Sequence, residues 1–259
     1  MSEVLTVYHG SKNGLEGPIR MVAGRNRQTC DFGQGFYMGA EPHQPRTLIC
    51  GRDAPKPTLY TLEFDVAGLR LLRLPTNIDW ALFVAFNRGL MRDYRATRFY
   101  ARYEAMRREN DVISGKIAND RIYDAVRGFF EGELKAGCLL EALQAVNLGD
   151  QYCALTPAAC SAVRIVDEQT LGEPEIEKYA RESARQRELA LSRTDQIFRS
   201  WRHRDGLYFD EILAQMAKEA AFLAGRRYEY TEKLSEECAS FFADLTAADG
   251  FAEKEIPSL

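Results

Sequence analysis

Asp31-Phe32-Gly33-Gln34-Gly35-Phe36-Tyr37-Met38 is the stretch on which the reading of this chain turns. Two glycines bracket Gln34 and run straight into an aromatic pair, the pattern of a tight turn feeding a short strand. Upstream, Val4-Leu5-Thr6-Val7-Tyr8 is β-branched and aromatic and predicts a strand that ends at His9-Gly10-Ser11. Residues 12–30 between them read as loop, with Gly14, Gly17, Pro18 and Gly24. Downstream, Leu59, Thr61, Glu63 and Asp65 alternate with Tyr60, Leu62, Phe64 and Val66, which predicts a second long strand. Within residues 41–50, Pro42 and Pro45 confine any helix to the part after the second proline.

Further along, Pro75 precedes a predicted helix that starts at Asn77 or Asp79, with Trp80, Phe83, Val84 and Asn87 at helical spacing. Helices are also predicted over 91–108 and 121–146, and short strands over 111–117, 151–155 and 161–167. After Asp167 the composition changes and no strand is predicted. A charged helix is expected over 175–191. Phe209, Ile212, Leu213, Met216, Ala217 and Ala220 follow a helical stripe, with Gly225 as its cap. Leu234, Cys238, Phe241, Phe242 and Leu245 repeat the stripe. The expectation is a first domain of residues 1–170 and an extension of about three helices over 171–259.

The 259 residues are 46% hydrophobic, enough for a substantial core, and carry a net charge of −4, which argues against general affinity for polyanions. No run reaches the ~18 apolar residues of a membrane span, and the N-terminus lacks a secretory pattern. The expected location is the cytoplasm, or a target cell into which the chain is delivered, with no membrane partner. Six cysteines show no CxxC pairing and are read as reduced core fillers. With His9, His43 and His203 the only histidines, no metal site is expected.

Three segments carry candidate chemistry: Tyr8-His9-Gly10-Ser11, Phe32-Gly33-Gln34-Gly35-Phe36-Tyr37, and Asp150-Gln151-Tyr152-Cys153-Ala154-Leu155. Singly they are weak. A lone His reads as structural, a lone Tyr as core, and a Gln-Tyr strand start as nearly uninformative. In this order they resemble the three motifs of the ADP-ribosyltransferase superfamily, in its diphtheria toxin and poly(ADP-ribose) polymerase branch. There a His-Gly pair closes a strand, a glycine turn leads to a strand with a stacking Tyr, and a late strand starts with Glu. The second motif is the nearest match, Phe-Gly-Gln-Gly-Phe-Tyr against Phe-Gly-Lys-Gly-Ile-Tyr. The first 165 residues also resemble a bacterial family known only as a domain of unknown function, whose members carry Tyr-His-Gly-Ser and Asp-Phe-Gly-x-Gly-Phe-Tyr.

The resemblance implies an α+β fold, with split antiparallel sheets clasping NAD and helices around them; the all-helical C-terminal extension lies outside the resemblance. It implies an NAD-dependent mono-ADP-ribosyltransferase acting on a protein or nucleic acid, as a bacterial toxin or effector, with NAD as substrate and no metal. The C-terminal helices would dock a partner such as an antitoxin, oligomerise, form a lid, or simply pack as core on the first domain. His9 would bind a ribose hydroxyl, Gly10 the nicotinamide amide through its backbone, and Ser11 would add a hydroxyl contact. Tyr37 would stack on nicotinamide, with Gly35 and Phe36 beside it. Arg25, with Asn26 and Arg27, would contact the pyrophosphate. His9, Tyr37 and Gln151 form the catalytic set, and Gln151 marks a departure, because it stands where the superfamily has Glu. An amide keeps the hydrogen bond but loses the charge that stabilises an oxocarbenium-like transition state, a loss commonly of about 10²–10³ in rate. Asp150, Asp120 or an acidic acceptor are candidate substitutes.

The alternative is a catalytically degenerate sensor or scaffold that binds NAD or ADP-ribose; a third reading is another nucleotide chemistry, like that of the RNA 2′-phosphotransferases. The arginines between Arg92 and Arg108, interleaved with Tyr94, Phe99, Tyr100 and Tyr103, read either as a nucleic-acid surface or as an amphipathic helix with an aromatic core face.

Overall fold

A computed structural model of the chain describes residues 3–21, 30–50, 54–95, 98–118, 120–146 and 149–215. Seven strands form its centre: β1 (Val4–Ser11), β2 (Phe36–Gly39), β3 (Thr58–Asp65), β4 (Leu71–Arg73), β5 (Val112–Lys116), β6 (Asp150–Ala154) and β7 (Val163–Thr170). Their order across the sheet is β4-β5-β6-β2-β1-β3-β7. Every pairing is antiparallel except β4 with β5. The helices are α1 (His43–Ile49), α2 (Ile78–Asn87), α3 (Arg98–Glu109), α4 (Asp120–Phe130), α5 (Ala136–Ala145), α6 (Pro157–Ser161) and α7 (Glu173–Ser200). The protein is therefore mixed α and β, built on a largely antiparallel open sheet.

The expected pair of separate sheets is one continuous sheet with a narrow seam. β1 pairs with β3 along its whole length, but meets β2 only at Tyr8–Gly39. That single link joins the β1-β3-β7 half to the β2-β6-β5-β4 half.

The alternation read in residues 59–66 places Tyr60, Leu62, Phe64 and Val66 in the core, all at most 4% exposed. They share a cluster with Val7, Phe36, Met38 and Ala154 on one face of the sheet, closed by α6 and by Leu15, Ile19 and Met21 of the loop after β1. The other face carries a larger cluster, in which Cys153 and Ile113 of the sheet meet α2, α4 and α5. Asn77 caps α2 by accepting from the Trp80 amide at 3.0 Å, and every residue of that helix is buried.

Several boundaries differ from expectation for local reasons. Pro45 lies inside α1, because a first-turn residue has no intrahelical N–H bond to lose; the first bond is from the Arg46 amide to Pro42. The 91–108 segment begins with a 3-10 turn, Arg92–Tyr94, before α3. The 121–146 segment breaks into α4 and α5, since Gly132 takes a left-handed φ of 77° and the Leu134 amide turns back to the Gly128 carbonyl. β4 and α6 are too short for any periodicity to announce them.

The helix expected over 175–191 is the 28-residue α7, which packs on α1, α4 and α5. The next helical stripe is helical over 209–215; the rest of it, and the stripe at 234–245, lie outside the described residues.

Candidate functional site

Beyond the Tyr8–Gly39 pair, β1 reaches β2 through a side chain. His9 Nδ1 lies 2.7 Å from the Tyr37 carbonyl oxygen. A carbonyl only accepts, so in the neutral imidazole the proton sits on Nδ1 and Nε2 carries the lone pair. The ring stacks on Phe36 at 4.4 Å, 28° from parallel, and is 9% exposed. Orientation and tautomer of His9 are thus both set by β2.

Gly10 has a packing reason to be glycine. A Cβ there would collide with the Pro45 carbonyl oxygen and lie 2.8 Å from the Ile49 side chain, so α1 rests directly on the strand. Around this point opens a cavity of about 580 Å³, lined by His9, Gly10, Ser11, Phe36, Leu48 and Ile49 and by residues 12–20. Its size falls in the range of small-ligand sites.

Tyr37 and Gln151 do not line that cavity. Successive strand residues face opposite ways, so Tyr37 turns from the His9–Phe36 face to the larger helical cluster. Its hydroxyl donates to the Gly33 carbonyl at 2.7 Å and accepts from the Phe32 amide at 3.0 Å, closing the glycine turn. Burial pushes the phenol pKa well up, so it stays protonated. Gly33 takes a φ of 84°, and a Cβ at Gly35 would strike Cys153 Sγ, so both glycines serve the turn and its seat on β6. The Tyr37 ring is half-buried against this cluster, with the Phe32 ring centre 6.5 Å away.

Gln151, 8% exposed, donates through Nε2 to Asp31 at 2.8 Å and to the Lys116 carbonyl at 3.3 Å. Asp31 is the hub of a buried polar cluster. It accepts from Arg88 Nη2 at 2.5 Å and Nε at 3.0 Å, and from the Ala118 amide at 2.9 Å. Arg88 in turn lies 4.3 Å from the centre of the Tyr123 ring. Both Nε2 contacts are pure acceptors, so the amide orientation is dictated by its surroundings, and a second carboxylate at 151 would face Asp31 unpaired. That explains locally why an amide stands here. Asp31 and Arg88 were not singled out from the sequence. The available signal was an acid opening a glycine-aromatic turn and a cation ending an apolar helix, charges that are buried only in pairs.

Among the other candidates, Asp150 is exposed and lies 3.3 Å from Lys116 Nζ. Arg25 and the Asp120 side chain lie outside the described residues. The arginine-aromatic segment resolves toward the amphipathic reading: Tyr94 and Tyr100 pack on the large cluster, Tyr103 is buried in it, and Arg102 pairs with the buried Asp79 at 2.9 Å. Burial raises the thiol pKa of Cys50, Cys153 and Cys160 and pushes Cys138 up to about 11, in keeping with core-filling thiols. Among the described residues no cluster of His, Cys, Asp and Glu is arranged to hold a metal ion, and no helix is long and apolar enough to cross a membrane.

No curated protein and no solved structure matches the chain. Residues 5–165 match a family described as a protein of unknown function, DUF3990. The match spans β1 to the start of β7 and takes in all three segments that carry candidate chemistry; on it, the chain belongs to the DUF3990 family.

Proposed function

We propose that the chain is an NAD-dependent mono-ADP-ribosyltransferase that binds the dinucleotide in the cavity at the end of β1 and passes ADP-ribose to a macromolecule. One observation carries the reading: His9, Gly10, Ser11 and Phe36 meet in a single cavity where β1 parts from β2. In this reading His9, oriented by its hydrogen bond to the Tyr37 carbonyl, meets a ribose hydroxyl. In the reaction the bond from nicotinamide to ribose C1′ breaks, nicotinamide leaves with the electron pair, and an acceptor oxygen or nitrogen bonds to C1′ and gives up its proton. Gln151 acts in this scheme by holding β6 to the glycine turn through Asp31, rather than by touching the ribose.

That same contact favours a second reading, in which the protein binds NAD or ADP-ribose without cleaving it, as a sensor or scaffold. The amide that replaces the superfamily's carboxylate is tied to Asp31 and Lys116, and does not reach the cavity. Labelled NAD incubated with the chain and a cell lysate separates the two. Transfer of label that is lost in His9→Ala supports the transferase. Binding of NAD with no nicotinamide release across varied lysates supports the sensor. Undiminished transfer in His9→Ala would sink the assignment of the site.

A further inference from the structure

The cavity extends past the three motifs into the loop after β1, where residues 12–20 form one wall. That loop is tied down. The Ser11 hydroxyl donates to the Gly14 carbonyl at 2.7 Å, the Leu15 amide to the Tyr60 hydroxyl at 2.8 Å, and the Lys56 amide to the Lys12 carbonyl at 2.9 Å. Leu15 and Ile19 pack on the core cluster beneath it. Gly14 and Gly17 take left-handed φ angles of 78° and 71°, bending the chain twice along the cavity wall.

On this fixed backbone, Lys12 and Arg20 are exposed and line the cavity. Among the described residues neither side chain makes an ion pair or hydrogen bond. Glu16 is the single acid among the lining residues. The wall formed by α1 is apolar, with Leu48 66% exposed beside buried Ile49. Two such cations on one wall and an exposed aliphatic side chain on another suit a ligand that is anionic in one part and flat and apolar in the next.

We propose that Lys12 and Arg20 hold the diphosphate of a nucleotide ligand, with its adjoining ring against Leu48. The assignment rests on the reading of this cavity as the dinucleotide site, and it gives the diphosphate contact to two residues of the loop that lines the cavity. The guanidinium of Arg20 forks onto two phosphate oxygens and Lys12 acts as a point charge.

Calorimetric titration of the full chain with ADP, NAD and nicotinamide tests it, in the native protein and in the Lys12→Ala, Arg20→Ala double variant. Both positions are exposed, so circular dichroism should be unchanged. Affinity for ADP and NAD is expected to fall about ten-fold or more in the double variant, the scale of one lost charge-assisted hydrogen bond, with nicotinamide unaffected. Binding of ADP to the native chain should also weaken with added salt. NAD bound equally well by both proteins overturns the diphosphate assignment and leaves the dinucleotide reading standing. ADP bound through Lys12 and Arg20 with no affinity for NAD does the reverse. A native chain that binds none of the three overturns both.

Discussion

Asp31 and Gln151 form a pair whose chemistry allows only certain substitutions. Asp31 is 6% exposed and its charge is met by Arg88, by the Ala118 amide and by the Gln151 amide. Gln151→Glu would set two carboxylates against each other and leave the Lys116 carbonyl with the Trp80 indole as its remaining side-chain donor. It should cost on the order of 3 kcal/mol, the scale of an uncompensated buried charge, read from urea unfolding. Adding Asp31→Asn removes that repulsion but turns an N–H toward Arg88 or the Ala118 amide, so it should recover only part of the loss. A single Gln151→Glu variant as stable as the native chain would refute the arrangement. Tyr37 gives a second test. Its hydroxyl holds the Asp31–Gly35 turn by two hydrogen bonds, so Tyr37→Phe should lose about 1–2 kcal/mol while leaving the ring in place. A ring that served chiefly to stack on a ligand would show no such loss in the unliganded protein.

The elements are held by a few junctions. Asp111, just before β5, accepts from the Arg70 side chain at 3.0 and 3.1 Å and from its amide at 3.0 Å, and from the Thr156 hydroxyl at 3.2 Å. One carboxylate thereby ties the approach to β4, the start of β5 and the cap of α6. The hydrogen bonds from Arg70 hold its pKa at about 2, below the usual 3.8. A depressed folded-state pKa means that this contribution is present above pH 3.8 and is lost as the pH falls toward 2. Acid unfolding followed by circular dichroism should show that Asp111→Asn lacks this part of the pH dependence between about pH 4 and pH 2. The long edge strand β7 is protected by a bulge opposite Thr61–Leu62 and by Arg164, Asp167 and Glu168, features that discourage pairing with another chain. The seam between β1 and β2 is the opposite case. Pairing stops after Tyr8, and the space released there becomes the cavity.

At the scale of the molecule, α7 and the helical residues 209–215 belong to the core of the first 170 residues. Ala190, Phe209 and Ile212 sit in the same buried cluster as α2, α4 and α5. Trp201 lies so close to Gly137 of α5 that a Cβ there would strike its ring, and its indole donates to Glu141 at 2.7 Å. On the other side Tyr179 stacks under Arg46 of α1, the helix that forms the cavity's apolar wall. A chain ended after Thr170 should therefore lose its cooperative thermal transition and bind hydrophobic dye. A truncated protein melting cooperatively within a few degrees of the full chain would show the extension to be dispensable.

Residue type and order alone determined the local pieces: the β1 strand ending at His9-Gly10-Ser11, the glycine turn before Phe36, the alternating β3 strand, and the Asn77 cap. Each depends on neighbours a few positions away, through backbone sterics and side-chain period, which is why it can be read from the chain. Tertiary structure decided which pieces meet. His9 and Phe36 share a cavity because β1 and β2 diverge, while Tyr37 and Gln151 face the helices because a strand turns its side chains alternately to opposite faces. Asp31 finds Arg88 and Gln151 at separations of 57 and 120 residues, a meeting that no local pattern encodes. A buried charge must be matched wherever the fold delivers its partner, and only the assembled sheet and its helices specify where that is.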